Sequence, residues 1–291
     1  MQFVQNGPDI PDALLQAHEE GRVVFFCGAG ISRPAGLPGF EELVEKIYKI
    51  VGEHRNPIED RAFQHRQLDA TLDILEHRLR GGRPAMRMRK ALAEALKPNL
   101  EQKGATQTHA ALLQLARSRK GVTRLVTTNF DRIFEHVIAK WKANIPTFPA
   151  PLLPIPKNSR WNGLVYLHGL LPPDESAESL LSRLVVTSGD FGLAYLAERW
   201  AARFVSDLLK NYVVCFVGYT INDPILRYMM DALAADRALG EITPQAYSFG
   251  ECPSGHETRE TEEWEAKGVI PILYEVSADR RDHSALHKTL K

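Results

Sequence analysis

Residues 23–33 read VVFFCGAGISR. A run of β-branched and aromatic residues ends abruptly at Gly28-Ala29-Gly30, the pattern of a buried strand that enters a tight turn. Such a turn can bring backbone amides close to a phosphate, and it can equally be a plain connection. The rest of the chain decides which.

Further short apolar runs recur along the sequence: RLVTT at 124–128, GLVYLH at 163–168, RLVVT at 183–187, YVVCFVG at 212–218 and VIPILYEV at 269–276. They are apolar on both faces, as strands covered on two sides require. Between them lie stretches of helical period, among them FEELVEKIYKIV, LDATLDILEHRL, THAALLQLARSR, AYLAERWAARFVSDLLK and PILRYMMDALAADR. This alternation predicts an α/β fold, a Rossmann-like, mostly parallel sheet with helices on both faces. Nearly a hundred residues separate the first two runs, so a helical insertion is expected over about 40–105. The segment 145–160, IPTFPAPLLPIPKNSR, is expected to be a surface loop because of its five prolines.

Composition narrows the partners. The 291 residues are 44% hydrophobic, and 36 basic residues match 36 acidic ones, so nothing in the balance points to direct nucleic-acid binding. A local basic stretch at Arg78, Arg80, Arg83, Arg87, Arg89 and Lys90 could be a binding arm, but a solvated helix face and turn is the expected reading. The scattered Cys27, Cys215 and Cys252 suit neither a disulfide framework nor a four-thiolate zinc site. His283 and His287, at helical spacing, have no third ligand in sight. No targeting segment opens the chain and no apolar run approaches the roughly 20 residues that span a bilayer, so the expectation is a cytoplasmic protein with no membrane partner.

The glycine turn does not fit the common nucleotide fingerprints. A G-x-G-x-x-G pattern would need a third glycine where Arg33 stands, and a Walker loop would need a following Gly-Lys-Ser/Thr. Other strand ends nevertheless carry chemistry. TTNFD at 127–131 sets Asn129 and Asp131 at a strand's carboxyl end, where open sheets bind ligands, although either residue could simply cap a helix. YLHG brings His168 to the same edge, as a catalyst or as a satisfied structural imidazole. VGYTINDP follows another strand, with Asn222 and Asp223 set to bond a ribose or to cap the next helix. Glycine, amide, carboxylate and imidazole at four strand ends exceed what capping explains.

GAGIS at 28–32, TTNFD at 127–131, LHG at 167–169 and VGYTINDP at 217–224 resemble, in order and placement, the motifs of sirtuins. The resemblance spans about two hundred residues and implies a sirtuin-like NAD-binding domain over 1–291 that breaks the nicotinamide–ribose bond. It implies cofactor-site roles for Gly28, Ala29, Gly30, Ser32, Thr128, Gly218, Tyr219, Asn222 and Asp223, with NAD as substrate. It implies catalytic roles for Asn129, Asp131 and His168. Deacylating sirtuins carry a zinc module with two Cys-x-x-Cys pairs. None occurs here, so no zinc is expected and protein deacylation is disfavoured. The long insertion and the TTNFD and NDP variants look more like bacterial antiphage-defence sirtuins, which hydrolyse NAD. That branch implies a homo-oligomer, and a fused or separate sensor protein that recognises a phage component. It also makes this chain readable as the N-terminal part of a longer protein. The remaining alternatives are an NAD-dependent deacylase or ADP-ribosyltransferase, or a module that senses NAD or ADP-ribose without cleaving it.

Overall fold

The computed structural model describes residues 1–5, 7–79, 85–157, 161–174, 177–221, 229–230, 243–276 and 283–291. Asn222, Asp223 and nearly all of the helical stretch 224–237 lie outside these residues, as do Arg80 and Arg83. Seven strands form one sheet: β1 (Val23–Cys27), β2 (Arg124–Thr127), β3 (Thr147–Pro149), β4 (Gly163–Tyr166), β5 (Val213–Val217), β6 (Ala246–Cys252) and β7 (Val269–Glu275). Their spatial order is β3-β4-β2-β1-β5-β6-β7, and every pairing is parallel. The architecture is therefore Rossmann-like, with β1 at the centre and buried on both faces.

The helices are α1 (Asp12–Glu19), α2 (Phe40–Val51), α3 (Pro57–Gln64), α4 (Leu68–Arg78), α5 (Ala85–Ala95), α6 (Gln107–Leu115), α7 (Ile133–Trp141), α8 (Glu178–Leu181), α9 (Ser188–Phe191), α10 (Trp200–Asn211), α11 (Glu257–Glu265) and α12 (Ser284–Thr289). Alternate strand residues feed two cores, as a sheet's period of two requires. Phe25, Cys27, Leu125 and Cys215 pack with Leu14 of α1, Leu112 of α6, Phe134 of α7 and Leu286 of α12. Val24, Phe26, Val126 and Phe216 pack with Phe204, Val205 and Leu208 of α10. A third core joins α2, α4 and α5 to Leu181, Leu184 and Val186. Among the described residues no helix is long and apolar enough to cross a membrane.

Two relationships place the functional edge. Strand order reverses between β1, which leads to β2, and β5, which leads to β6, so a crevice opens at their carboxyl ends. Register sets Cys27 level with both Thr127 and Val217, and Thr127 level with Tyr166. The residues that follow, Gly28, Thr128, Gly218 and the Leu167-His168 pair, therefore emerge along one line.

Several local expectations change. The segment 183–187 is not a strand. Both sides of β4 are already taken, by β2 and β3, so this apolar run does not pair beside the strand that precedes it. Instead Val185 N–H bonds the His168 carbonyl, while the Asp190 carboxylate accepts from the amides of Val186 and Thr187. The proline-rich loop contributes β3 as an edge strand, where missing N–H donors are tolerated. The helical stretch 194–210 is divided: a π-helical turn spans Gly192–Ala197, Arg199 is left-handed at φ 59°, and α10 starts at Trp200.

Candidate active site

The two glycine turns are packed against each other. Gly28 N–H donates to Val217 O and Gly30 N–H to Gly218 O, both at 2.9 Å. A methyl on Gly30 would stand 2.8 Å from the Gly218 Cα, and one on Gly218, at φ +79°, would stand 2.8 Å from the Ile31 nitrogen. These glycines thus serve close backbone approach. Tyr219 lies over Gly28, hydrogen-bonds Thr128 Oγ1 at 2.7 Å and donates to Cys27 O at 3.2 Å, so it ties the ends of β5, β2 and β1 together.

Beyond Gly28 the chain enters a 3-10 helix, Ala29–Ala35, which turns Ser32 into the protein. Ser32 Oγ donates to Asp131 Oδ2 at 2.8 Å and accepts from Asn129 Nδ2 at 3.1 Å, and it lies 3.3 Å from His109 Nε2. A hydroxyl has one proton and two lone pairs. With the hydroxyl proton donated to the Asp131 carboxylate and one lone pair accepting from Asn129, the other accepts from His109, which places that imidazole's proton on Nε2. The bare Nδ1 is then consistent with its lack of a partner among the described residues. Burial, and secondarily the charge of His287, depress the His109 pKa to about 3, so the ring is neutral.

Asn129 also donates to Gly28 O at 3.1 Å, which fixes its amide against the glycine turn. Asp131 accepts from Ile133 N–H at 3.1 Å, so it supports the start of α7 as well as binding Ser32. Burial raises its carboxyl pKa, an effect opposed by the Ile133 and Ser32 hydrogen bonds. His168 is fully buried. Its Nε2 is 2.9 Å from Tyr195 Oη, its ring meets Phe191 edge-on, and its Nδ1 has no partner among the described residues. Burial alone lowers its pKa to about 3.

Ala29, Ser32, Thr128, Asn129, Asp131 and His168 line one pocket of about 70 Å³, walled by apolar side chains that include Phe40, Val185 and Phe191. That is well below the roughly 300 Å³ at which pockets enclose a whole small ligand, so it suits one group of a larger molecule. Gly28, Gly30, Gly218 and Tyr219 do not line this pocket; they form the turn-on-turn contact beside it. Among the described residues no cluster of three or more His, Cys, Asp or Glu is placed to hold a metal.

The far wall is held by a buried ion cluster, which corrects the expectation of a solvated basic face at Arg89, since that side chain turns inward to buried and half-buried carboxylates. Arg89 of α5 bonds Glu76 of α4 at 2.7 Å and Asp190 at 2.8 Å, and donates to the carbonyls of Leu181 and Leu184. The insertion thereby fixes the segment that supplies Val185, Val186 and Phe191. His109 and Tyr195 are site residues that the strand-end motifs do not reveal. His109 carries a signal, since it shares the apolar helix face of Leu112 and Leu113. Tyr195 carries none, because the π-helical turn alters the helix period that would have placed it.

A model of the SIR2-like domain matches residues 123–272, slightly more than half of the chain. "Uncharacterized protein y4cA" of Sinorhizobium fredii is 36% identical over 274 residues, covering 92% of this chain. The chain spans 22% of that relative's length. A solved structure from work on the mechanism and regulation of Sir2 enzymes aligns over 96% of this chain and 94% of its own, with 15% identity and a TM-score of 0.47. On the family match, the chain belongs to the SIR2-like family, the sirtuins.

Proposed function

We propose that this protein is an NAD glycohydrolase that converts NAD and water to nicotinamide and ADP-ribose, acting in NAD depletion during bacterial antiphage defence. The observation that carries the chemistry is the neutral His168 imidazole, with an unpartnered Nδ1, in the same pocket as Asn129 and Asp131. The pocket's size suits the nicotinamide end of the dinucleotide, leaving the rest to the crevice along Ala29 and the glycine turns.

Cleavage breaks the bond between the ribose anomeric carbon and the ring nitrogen, whose electron pair leaves with nicotinamide and neutralises the pyridinium. Positive charge grows on the ribose, and a fixed carboxylate nearby stabilises it without reorganisation. Asp131 is that carboxylate. Asn129, clamped by Gly28 O and Ser32, orients the attacking water or the ribose hydroxyls. His168 Nδ1 takes the proton that water loses as its oxygen bonds the anomeric carbon, then passes it to solvent. General-base help is worth about a hundredfold to ten-thousandfold for a base whose pKa lies near the working pH, and the burial that holds His168 near 3 sets its share at the low end of that range.

The homo-oligomer and the phage-recognising sensor belong to the same proposal and rest on the motif resemblance. The experiment is to incubate the protein with NAD in isotopically labelled water and to analyse the products by mass spectrometry. Hydrolysis puts the label on the anomeric hydroxyl of ADP-ribose. Label-free ADP-ribose attached to a macromolecule would mean transfer, and intact NAD after long incubation would mean sensing; either contradicts hydrolysis.

A further inference from the structure

Two residues of the Ser32 cluster have sequence neighbours that face a different cavity: Arg33 follows Ser32, and Thr108 precedes His109. This second cleft has a volume of about 560 Å³, and its walls carry Arg33, Lys103, His283, His287, Lys288 and Lys291. None of the described lining residues is acidic. Arg33 is paired with Glu42 outside the cleft, Lys291 donates to the Gln107 side-chain oxygen, and Thr108 Oγ1 is 2.8 Å from His287 Nδ1. His283 lies 3.0 Å from Tyr274 Oη and 3.7 Å from a Glu251 oxygen. Lys103 and Lys288 have no carboxylate partner among the described residues. α6 starts here with no side-chain cap, so the positive end of its dipole adds to the field.

Of the four permanent cations around this concavity Arg33 is already neutralised by Glu42, and Lys103, Lys288 and Lys291 repel one another unless an anion joins them. Their number calls for a multiply charged partner, and the volume exceeds the roughly 300 Å³ that a small-molecule site needs. The geometry points to a phosphate-binding cleft that takes the phosphoryl groups of a nucleotide-sized molecule. The occupant braces the two turns that carry Ser32 and His109. That chemistry has two sources, a phosphate of the dinucleotide substrate or a separate phosphorylated effector.

The test is titration calorimetry of the full chain with inorganic pyrophosphate. The wild type binds saturably, and the Lys103→Gln/Lys288→Gln variant, which loses two exposed charges and keeps its melting temperature, binds at least about tenfold more weakly. A Lys49→Gln/Lys140→Gln control, away from the cleft, retains wild-type affinity. Absence of saturable binding, equal affinity in the cleft variant, or an equal loss in the control overturns the proposal. Repeating the titration with saturating NAD or NADP separates the sources: displacement by either assigns the site to the substrate's phosphates, and independent binding assigns it to an effector. The pyrophosphate result does not depend on whether NAD is cleaved, so the cleft and the glycohydrolase reading fail separately.

Discussion

Ser32 Oγ and His109 Nε2 stand 3.3 Å apart in the interior, joining a 3-10 helix to a helix 77 residues away in sequence. Because the serine hydroxyl also serves Asp131 and Asn129, the imidazole completes its hydrogen bonding. His109→Phe keeps the bulk but leaves a Ser32 lone pair unmet, and kcat for NAD is expected to fall about tenfold. His109→Gln, which restores a donor near Nε2, recovers most of that loss. Equal rates for the two variants would reduce His109 to packing.

Acid lability follows from two buried imidazoles. In His109 and His168 the folded-state pKa is depressed from 6.5 to about 3, chiefly by burial. Between those values the unfolded chain binds protons that the folded chain does not, so stability falls as pH drops below 6.5. Each ring contributes up to about 1.4 kcal/mol per pH unit in that window. Asp131, whose pKa is raised, opposes the trend at its acid end. Chemical denaturation at pH 7.5 and 5.5 should show the loss, and it should shrink in His109→Gln.

The glycine turns predict a contrast between two alanine variants. Gly30→Ala suffers only the overlap with Gly218, whereas Gly218→Ala adds a left-handed backbone conformation to its clash with Ile31. Thermal melts should show both destabilised, with Gly218→Ala lower by several degrees, on the order of a further 1–3 kcal/mol. A Gly218→Ala melt at the wild-type temperature would mean that the turns separate readily.

Arg89 binds two carboxylates and two carbonyls while buried. Arg89→Met strands Glu76 without its cation, at an expected cost of about 3–5 kcal/mol. Arg89→Lys should recover little, because one ammonium cannot span the planar fork's partners. Urea midpoints of the two variants measure this directly.

The sheet was legible where strands are apolar on both faces: β1, β2, β4, β5 and β7 lie within the runs that suggested them. α2 occupies 40–51 as its period indicates, with Glu42 accepting from Gly39 N–H and left-handed Gly52 ending it. β6 escaped notice because Ser248, Gly250 and Glu251 interrupt its apolar character. The 183–187 run misled because burial alone produces the same residue choice as a central strand. In the site, Ser32 came only from the motif resemblance, whereas Asn129, Asp131 and His168 could be grouped since strand ends of a parallel sheet converge. Tyr195 could not, since its place depends on a π-helical turn and on the break at Arg199.

The most direct measurement is nicotinamide release from NAD by wild-type protein and by His168→Ala, under conditions where both show the same melting transition. A wild type that turns over, with the variant slower by at least about a hundredfold, is the predicted result. Equal rates would contradict the account at its centre, because the imidazole facing the pocket would then take no part in the reaction.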